Sequence, residues 1–322
     1  MVTASAATAA QKVSFGARML DRMFEPTRRE FFKTVQFTEP AGDPGWFGPD
    51  SAVWYVYSHL PTVQIAMAAA AMMETLHPTQ AWMAYEHTRA IERDADGVPT
   101  GNIDDEAIVS RGGHTLSFFY GTAMGPTAVA EKVSKTVYGI HEHIYGTRPD
   151  GVSYRANDPD LLCWNYCTQA WALAESHTRF HPNPLKGERL EQFFSEYARM
   201  AIEIGSAPPP TTKSGVDEYL ADSVPRLGVT MPTVELLNPL APWRYPRHQR
   251  PLYSVIYWAV QDMHPEWAQK LMNTPKLTPL GRVARRAALK AMLNSAGEDP
   301  AILEVRQARA RAAARQPVTA EN

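Results

Sequence analysis

The sequence predicts an all-α protein, a single large domain of roughly ten helices. Nearly every long segment repeats its apolar residues every three or four positions, the spacing of one helix face, rather than every second position as in a strand. Hydrophobic residues make up 44% of the 322 residues, which is enough for a large core. Several of the segments are bounded by residues that cap or break helices.

The longest apolar stretch, residues 65–73, lies in the first quarter of the chain. We expect it to belong to a helix that Asp50 or Ser51 caps and that Pro61 kinks near its start. The stretch is about half as long as the 18 or more residues that cross a membrane, so a buried core helix is predicted and no transmembrane segment. A second helix is predicted over 79–92, followed by a turn in DADGVPTGN.

Three further helices are predicted in the middle of the chain. The first begins at Asp104 and ends near Tyr120, before a turn. The second covers 126–146 with Gly146 as its C-cap, and RPDGVSYRANDPD after it is interpreted as a loop. The third covers 159–179 and is apolar or aromatic along one side, so we expect it near the centre of the domain.

The second half of the chain is predicted to continue as helices joined by Pro-rich loops. After residue 300 the sequence is rich in Ala and Arg and has little apolar surface, so we expect it to fray or lie on the surface. The predicted organisation is an N-terminal extension (1–44), a helical domain (45–295) and an Ala/Arg-rich C-terminal tail (296–322). The remaining helices are predicted at 187–205, 213–224, 247–262, 264–272 and 279–295.

The charge balance and the cysteines of the chain bear on its binding partners and on its cellular compartment. The chain has 32 Lys and Arg against 34 Asp and Glu, a formal net charge of −2, which argues against nucleic-acid binding. Cys163 and Cys167 lie four residues apart on a predicted helix, a geometry that suits a disulfide poorly, so two buried thiols are expected. The N-terminal sequence has no basic region followed by an apolar one, so a cytoplasmic protein is expected.

Of the ten histidines, His141 has the most informative position. It lies on the apolar side of the helix predicted over 126–146, four residues after Val137 and three before Ile144. An imidazole there either forms a hydrogen bond within the core or donates an electron pair to a metal, and helical phase alone leaves both interpretations open. His143 falls on the polar side of the same helix.

Arg111, His114 and Thr115 stand at i, i+3 and i+4 and therefore share one helix face. Together, a guanidinium, an imidazole and a hydroxyl can polarise bound dioxygen or peroxide, or they can form an ordinary polar network at a helix end. Gly112 and Gly113 lower the helix propensity here and would let a flat group approach the backbone closely.

Other arrangements of ligating residues are incomplete. Glu74-x-x-His77 is one half of a carboxylate-bridged di-iron site, but the chain has no second Glu-x-x-His. His177 and His181 are four residues apart among polar residues, so a solvated helix end is expected. The sequence has no Gly-x-Ser-x-Gly, P-loop or Gly-x-Gly-x-x-Gly motif.

Four stretches of the chain form an ordered set of motifs: FGPDSAVWYVYSHLPTVQIAMAAA, RGGHT, VYGIHEHIYG leading into DGVSYRANDPDLLCW, and RLEQFFSEYARMAIEIGSAPPP. Together they cover residues 45–225 and resemble the rubber-oxygenase (latex-clearing protein) and MpaB-type oxygenase family, the DUF2236 domain. RGGHT, at 111–115, is similar to the family's Arg-x-x-x-Thr element. The combination Ile-His…Tyr-x-Ala-x-Asp-Pro-x-Leu-Leu-x-Trp is the most specific part.

The resemblance implies an all-helical protein with a haem b pocket between its central helices and one axial histidine. It also implies oxidative chemistry, such as insertion of dioxygen across the double bonds of isoprenoid chains. Carried over to this sequence, His141 becomes the axial, metal-binding ligand, with His143 and His59 as alternatives. The implied catalytic residues are Arg111, His114 and Thr115, and the implied cofactor-binding residues are His141, Arg111, Phe118 and Trp164.

Two positions depart from the family pattern. Rubber oxygenases present a lysine where this chain has His114, a departure that argues against rubber cleavage itself and favours peroxide or a small substrate. Many relatives have Val-His where this chain has Asn165-Tyr166. We expect an apolar substrate, isoprenoid-like or aromatic, that is oxidised with dioxygen or peroxide. The helices around the proposed pocket offer apolar side chains such as Phe118, Phe119 and Trp164 rather than charges.

Two other functions fit the same sequence: a non-catalytic carrier of haem or of a lipophile, and a cofactor-free structural protein. Protein that stays colourless after expression with added haem would favour the structural protein. The basic segment 282–290 and the Arg-rich tail could also touch anionic lipid, although a solvated helix face accounts for both.

Overall fold

The computed structural model describes residues 13–295, 297 and 301–314 of the chain. It confirms the all-α fold class, because the described residues form fourteen α-helices and only two small two-stranded sheets. The helices are α1 (Phe15–Phe31), α2 (Ala52–Tyr57), α3 (Leu60–Glu74), α4 (Pro78–His87), α5 (Asp105–Met124), α6 (Thr127–His141), α7 (Pro159–Phe180), α8 (Glu188–Glu203), α9 (Lys213–Ser223), α10 (Met231–Leu237), α11 (Arg250–Gln261), α12 (Glu266–Leu271), α13 (Pro279–Leu293) and α14 (Leu303–Ala313). The strands are β1 (Ile91–Arg93), β2 (Pro99–Ile103), β3 (Tyr145–Thr147) and β4 (Ser153–Arg155).

α3 and α7 form the centre of the domain and pack against each other more extensively than any other described pair of elements. The predicted cap is Ser51, whose side chain accepts a hydrogen bond from the backbone N–H of Trp54 at 3.0 Å. The predicted kink is a complete break, because α2 ends at Tyr57 and α3 begins at Leu60 with Pro61 in its first turn. The small alanine side chains of α3 let the two central helices approach closely.

Two β-hairpins replace the segments predicted as turn and loop, together with the ends of the helices predicted over 79–92 and 126–146. The first of these helices, α4, already ends at His87. The predicted turn contains β2, which pairs with β1, and the predicted loop contains β4, which pairs with β3. The helix predicted over 126–146 ends at His141, and Gly146 lies in β3 instead of capping a helix. A Cβ atom at Gly146 would lie 2.4 Å from the hydroxyl oxygen of Tyr154 on the facing strand, so the glycine leaves room for the Tyr154 side chain.

α5 is about one turn longer than predicted, because it continues to Met124 and ends only at Gly125. Gly121 lies inside the helix, where a Cβ atom would be 3.3 Å from Val35 and 3.4 Å from Val133. The glycine therefore marks close packing of α5 against α6 and not a turn.

The segment after residue 300 is part of the fold. Arg311, only 2% exposed, donates hydrogen bonds to the backbone carbonyl oxygens of Asp43, Phe37 and Met124 at 2.8, 2.9 and 2.9 Å. These bonds fix α14 to the loop before α2 and to the end of α5. The expectation of a frayed or surface tail is therefore wrong for α14, and residues 315–322 lie outside the described part of the chain.

The C-terminal end of α7 is buried, so the expected solvated helix end is also wrong. His177 is fully buried and His181 nearly so, with their ring centroids 4.2 Å apart. Burial and the neighbouring His181 and His59 lower the pKa of His177 to about 2, so this ring is neutral. Polar neighbours in the sequence misled the prediction, because α2 folds over this end of α7 and Tyr55 contacts both rings.

Two smaller predictions hold for the part of the chain that the structure describes. Cys163 and Cys167 are buried and do not form a disulfide. The described helices include none that is both long and apolar enough to cross a membrane.

Candidate functional site

Three helices bring polar side chains together at one place. Glu74 is the last residue of α3, Arg111 lies in α5, and His141 is the last residue of α6. Burial is the main cause of the pKa shifts of Glu74 and His141. The positive charge of Arg111 lowers both pKa values, so its guanidinium is within electrostatic range of both groups. The sequence predicted Arg111 and His141 for a common site, whereas it gave Glu74 no role there.

Accessible space adjoins these groups although α3 lies at the centre of the domain. Ala71 is exposed, and Met67, Ala68 and Glu74 are half-buried, whereas most other residues of α3 are buried in the core. Their spacing of three and four places them on one helix face. That face offers small and apolar side chains, with the carboxyl group of Glu74 at one end.

Glu74 is held by two hydrogen bonds from α7. Its Oε1 accepts one from Nε2 of Gln169 at 3.1 Å and a longer one from Oγ1 of Thr168 at 3.5 Å. Burial raises the pKa of Glu74 to about 7, against the opposing effects of Gln169, Arg111 and Thr168. This carboxyl group can therefore take up or release a proton near neutral pH. No sequence pattern reveals its burial, so the role of Glu74 could not be predicted.

Trp164 and Phe118, both predicted to bind a cofactor, occupy different surroundings. Trp164 is 1% exposed, and its indole N–H donates to the backbone carbonyl oxygen of Glu74 at 3.3 Å. It therefore fixes the end of α3 from within the core. Phe118 is half-buried on α5, seven residues after Arg111 and on the same side of the helix. Phe118 is thus the one of the two with partly accessible surface.

Arg111 is exposed, and its guanidinium forms no hydrogen bond or ion pair within the described residues. Thr115, also exposed, donates its hydroxyl hydrogen to the backbone carbonyl oxygen of Arg111 at 2.9 Å. The hydroxyl is therefore occupied within its own helix, while the positive charge of Arg111 remains available to a ligand.

His114 is exposed but packs toward α1. Its ring lies edge-on to the ring of Phe31, with the centroids 4.9 Å apart and an angle of 71° between the planes. A Cβ atom at Gly113 would lie 2.0 Å from the same phenyl ring, whereas one at Gly112 would meet nothing within 4 Å. The flat group that approaches Gly113 is therefore Phe31, and only Gly112 faces open space.

His141 is half-buried, and burial is the main reason why its pKa lies below the ordinary value, with Asn157 opposing the shift. At neutral pH the ring is therefore uncharged and carries an electron pair. Its Nδ1 and the Oδ1 of Asn157 are both buried without a well-aligned partner. Asn157 is fixed by its Nδ2, which donates to the carbonyl oxygen of Tyr138 at 3.0 Å. The amide can therefore orient the imidazole through Nδ1.

The alternative ligands lie elsewhere. His143 is exposed, as predicted from its place on the polar side, and its Nδ1 lies 2.9 Å from the carbonyl oxygen of Gly139. His59 is the N-cap of α3 and is hydrogen-bonded to Thr62. It stands at the opposite end of the helix from Glu74, about 22 Å away at 1.5 Å per residue. Of the three histidines, His141 is therefore the one that shares a location with Arg111.

Within the described part of the chain, no group of three or more His, Cys, Asp or Glu side chains could hold a metal ion by itself. The site offers one neutral imidazole, one carboxyl group and one guanidinium.

Asn165 and Tyr166, the second departure from the family pattern, lie on α7 near this site. Asn165 has a buried Oδ1 without a partner, and the Tyr166 hydroxyl donates to the carbonyl oxygen of Pro210 at 2.9 Å.

A comparison with known families decides where the chain belongs. The family model described as "ER-bound oxygenase mpaB/B'/Rubber oxygenase, catalytic domain" matches residues 54–294. The chain is a member of this family. No curated protein and no solved structure gives a significant match. The match includes Glu74, Arg111 and His141, so all three lie in an oxygenase catalytic domain.

Segments outside the match complete this mpaB/rubber oxygenase domain. α1 and α14 flank the matched range, and both pack onto it. Phe31 of α1 contacts His114, and Arg311 of α14 holds the end of α5. The flanking helices therefore shape the surroundings of the candidate site.

Proposed function

We propose that this oxygenase-family domain is a haem b-dependent oxygenase that acts on an apolar substrate, either isoprenoid-like or aromatic. The observation that carries the proposal is the placement of a neutral imidazole (His141), a free guanidinium (Arg111) and a carboxyl group that titrates near pH 7 (Glu74) beside accessible space. Family membership supports the oxygenase activity, while the haem and the substrate class are inferred.

The residues present fit a haem. His141 would hold the iron through Nε2, because its Nδ1 lies in the protein beside Asn157 and the ring is uncharged at neutral pH. Asn157 would fix the tautomer and the ring orientation. A bound haem supplies the iron-centred redox chemistry that activates dioxygen or peroxide.

The chain's own residues then bind substrate and move protons. Arg111 can donate hydrogen bonds to an oxygen atom on which negative charge develops, since no protein group occupies its guanidinium in the described structure. Glu74 can accept a proton, because both of its hydrogen bonds reach Oε1 and leave Oε2 for a substrate. Apart from Glu74 at its end, the accessible face of α3 offers the apolar side chains of Met67, Ala68 and Ala71, which favours an apolar chain or ring.

An absorption spectrum of the purified protein tests the haem. We expect a Soret band in protein expressed with added haem, and a shift of that band on reduction with dithionite. His141→Ala should abolish or grossly alter the spectrum, whereas His143→Ala should leave it unchanged. Colourless wild-type protein, or an unchanged spectrum of His141→Ala, would contradict the proposal.

Turnover distinguishes the oxygenase from a carrier of haem or of a lipophile. We expect consumption of dioxygen or peroxide with isoprenoid alkenes or phenols, and loss of that consumption in Arg111→Gln. A normal Soret band without turnover on either substrate class would favour the carrier.

A further inference from the structure

The segment between α9 and α11 carries a concentration of exposed apolar side chains. Residues 229–252 supply five of the seventeen large hydrophobic side chains that are exposed in the described structure. Folded domains usually expose such residues singly, so five of them within one segment of the chain indicate contact with something else. The five are Val229, Met231, Val234, Trp243 and Leu252, which together form what we call the 229–252 surface.

The 229–252 surface consists of two packed pairs of elements that follow one another along the chain. α10 packs on the short 3-10 helix that follows it, and α11 packs on the short 3-10 helix at Pro242–Arg244. Arg250 donates to the carbonyl oxygens of Trp243 and Tyr245, both at 2.9 Å. Tyr245 in turn stacks on Tyr253 with the ring centroids 3.4 Å apart. These contacts hold Trp243 outward, where 61% of its surface is exposed.

The charge of this surface is opposite to that of the whole chain. It contains Arg244, Arg247 and Arg250 against one acidic residue, Glu235, which gives 3 − 1 = +2, whereas the chain carries −2. Arg247 is exposed and forms no ion pair or hydrogen bond with another described residue. Basic side chains around an exposed tryptophan are typical of surfaces that dock on anionic lipid, where the indole sits at the headgroups.

The basic segments that the sequence suggested for lipid contact are engaged elsewhere. Arg282 and Arg286 of α13 both pair with Asp262, at 2.9 and 2.5 Å. In α14, Arg306 pairs with an aspartate of α1 at 2.7 Å, and Arg311 is buried. These four arginines are therefore held by groups of the fold, whereas Arg247 has no hydrogen bond or ion pair with another described residue.

The 229–252 surface adjoins the candidate site. The hydroxyl of Thr233 in α10 donates to the carbonyl oxygen of Thr75 at 2.8 Å, and Thr75 directly follows Glu74. At the other end, Arg244 lies 4.0 Å from Asp105 in the first turn of α5, the helix that carries Arg111. A bilayer on this surface would therefore lie next to the site that we propose for an apolar substrate.

We propose that the 229–252 surface docks peripherally on an anionic phospholipid bilayer. This inference goes beyond the proposed function and does not depend on it, because binding is measured without turnover. The probe is a set of vesicles of phosphatidylcholine with and without phosphatidylglycerol, used in sedimentation with the full chain. We expect wild-type protein to sediment with the anionic vesicles and to remain in solution with the neutral ones.

Matched variants locate the contact. Trp243→Ser combined with Leu252→Ser should lower the partition coefficient on anionic vesicles about tenfold or more, since two apolar anchors are lost. Arg247→Gln should lower it about fivefold, because one basic residue near the surface contributes about 1 kcal/mol. The control is Val98→Ser combined with Val152→Ser, which removes exposed apolar side chains from the two hairpins and should have no effect.

Three results would overturn the proposal. In the first, wild-type protein does not sediment with anionic vesicles. In the second, the Trp243/Leu252 variant binds these vesicles as well as wild-type protein does. In the third, light scattering shows that wild-type protein is a dimer and that the same variant is a monomer. The last result would assign the surface to a second copy of the chain. Circular dichroism of the variants checks that they remain folded. Neither this control nor vesicle binding requires haem or turnover, so these outcomes are separable from a failure of the proposed oxygenase function.

Discussion

Gln169 joins Glu74 to a buried chain of polar groups. Its Nε2 donates to Oε1 of Glu74 at 3.1 Å, and its own Oε1 accepts from the hydroxyl of Tyr197 at 3.5 Å. The Tyr197 hydroxyl lies 3.2 Å from that of Tyr57, in the middle of the core. A single amide thus fixes the carboxyl group that we propose as a base and connects it to the interior.

Removal of this amide should move the pH profile of the enzyme. Burial raises the pKa of Glu74 to about 7 and the hydrogen bond from Gln169 opposes that rise, so Gln169→Leu should raise the pKa further. Since a base acts when deprotonated, the rising limb of kcat/KM against pH should shift to higher pH. Gln192→Leu on α8 is the control. A limb that stays in place would show that Glu74 is not the titrating group.

The charge of Arg111 should affect the pKa values of two residues that are distant from it in the sequence, Glu74 and His141. This charge lowers the pKa of both Glu74 and His141, so Arg111→Gln should raise both values. NMR titration of the haem-free chain follows the imidazole and carboxyl signals separately. Lys132→Gln on the exposed side of α6 should move neither. If the pKa values in Arg111→Gln match those of wild-type protein, the three helices do not converge as described.

Gly113 and Gly112 form a natural pair of test positions on α5. A methyl group at Gly113 would lie 2.0 Å from the Phe31 ring, so Gly113→Ala should destabilise the fold by about 1–3 kcal/mol through overpacking. Gly112→Ala meets nothing within 4 Å and should stabilise the helix by up to about 1 kcal/mol. Thermal unfolding followed by circular dichroism compares them. Equal shifts in the two variants would mean that α1 does not pack on α5 at this point.

His177 should make the fold sensitive to acid. Burial lowers its pKa from 6.5 to about 2, so its contribution to stability is present above pH 6.5 and is lost as the pH falls toward the folded pKa. The loss is at most about 1.4 kcal/mol per pH unit. His177→Leu should therefore move the midpoint of acid unfolding to lower pH.

The exposed His143 provides the control for this effect. His143→Leu should leave the acid midpoint unchanged, because that ring is accessible in both the folded and the unfolded chain. Acid unfolding of His177→Leu at the wild-type midpoint would indicate that His177 is protonated within the fold. His264 and His77, whose pKa values burial lowers to about 4, remain in both variants and contribute to the residual acid sensitivity.

Local patterns predicted most of the helices and their caps, because these depend on neighbouring residues. Ser51 and Asp104 cap helices as expected, and helical phase placed His141 toward the protein and His143 toward solvent. The short strands were missed, since each has only three to five residues and is stabilised by its partner strand. The prediction of a solvated helix end at His177 was wrong, because polar neighbours in the sequence do not show that another helix covers this end of α7.

The sequence by itself determined the fold class, the ends of most helices, the family pattern and the predicted residues Arg111 and His141. Only the tertiary structure decided that Glu74 joins them, that His114 turns to Phe31, and that the arginines of α14 are engaged within the fold. Helical spacing is set by backbone geometry and is visible in one dimension. Desolvation and contact between residues far apart in the chain are set by packing, and no spacing along the sequence specifies them.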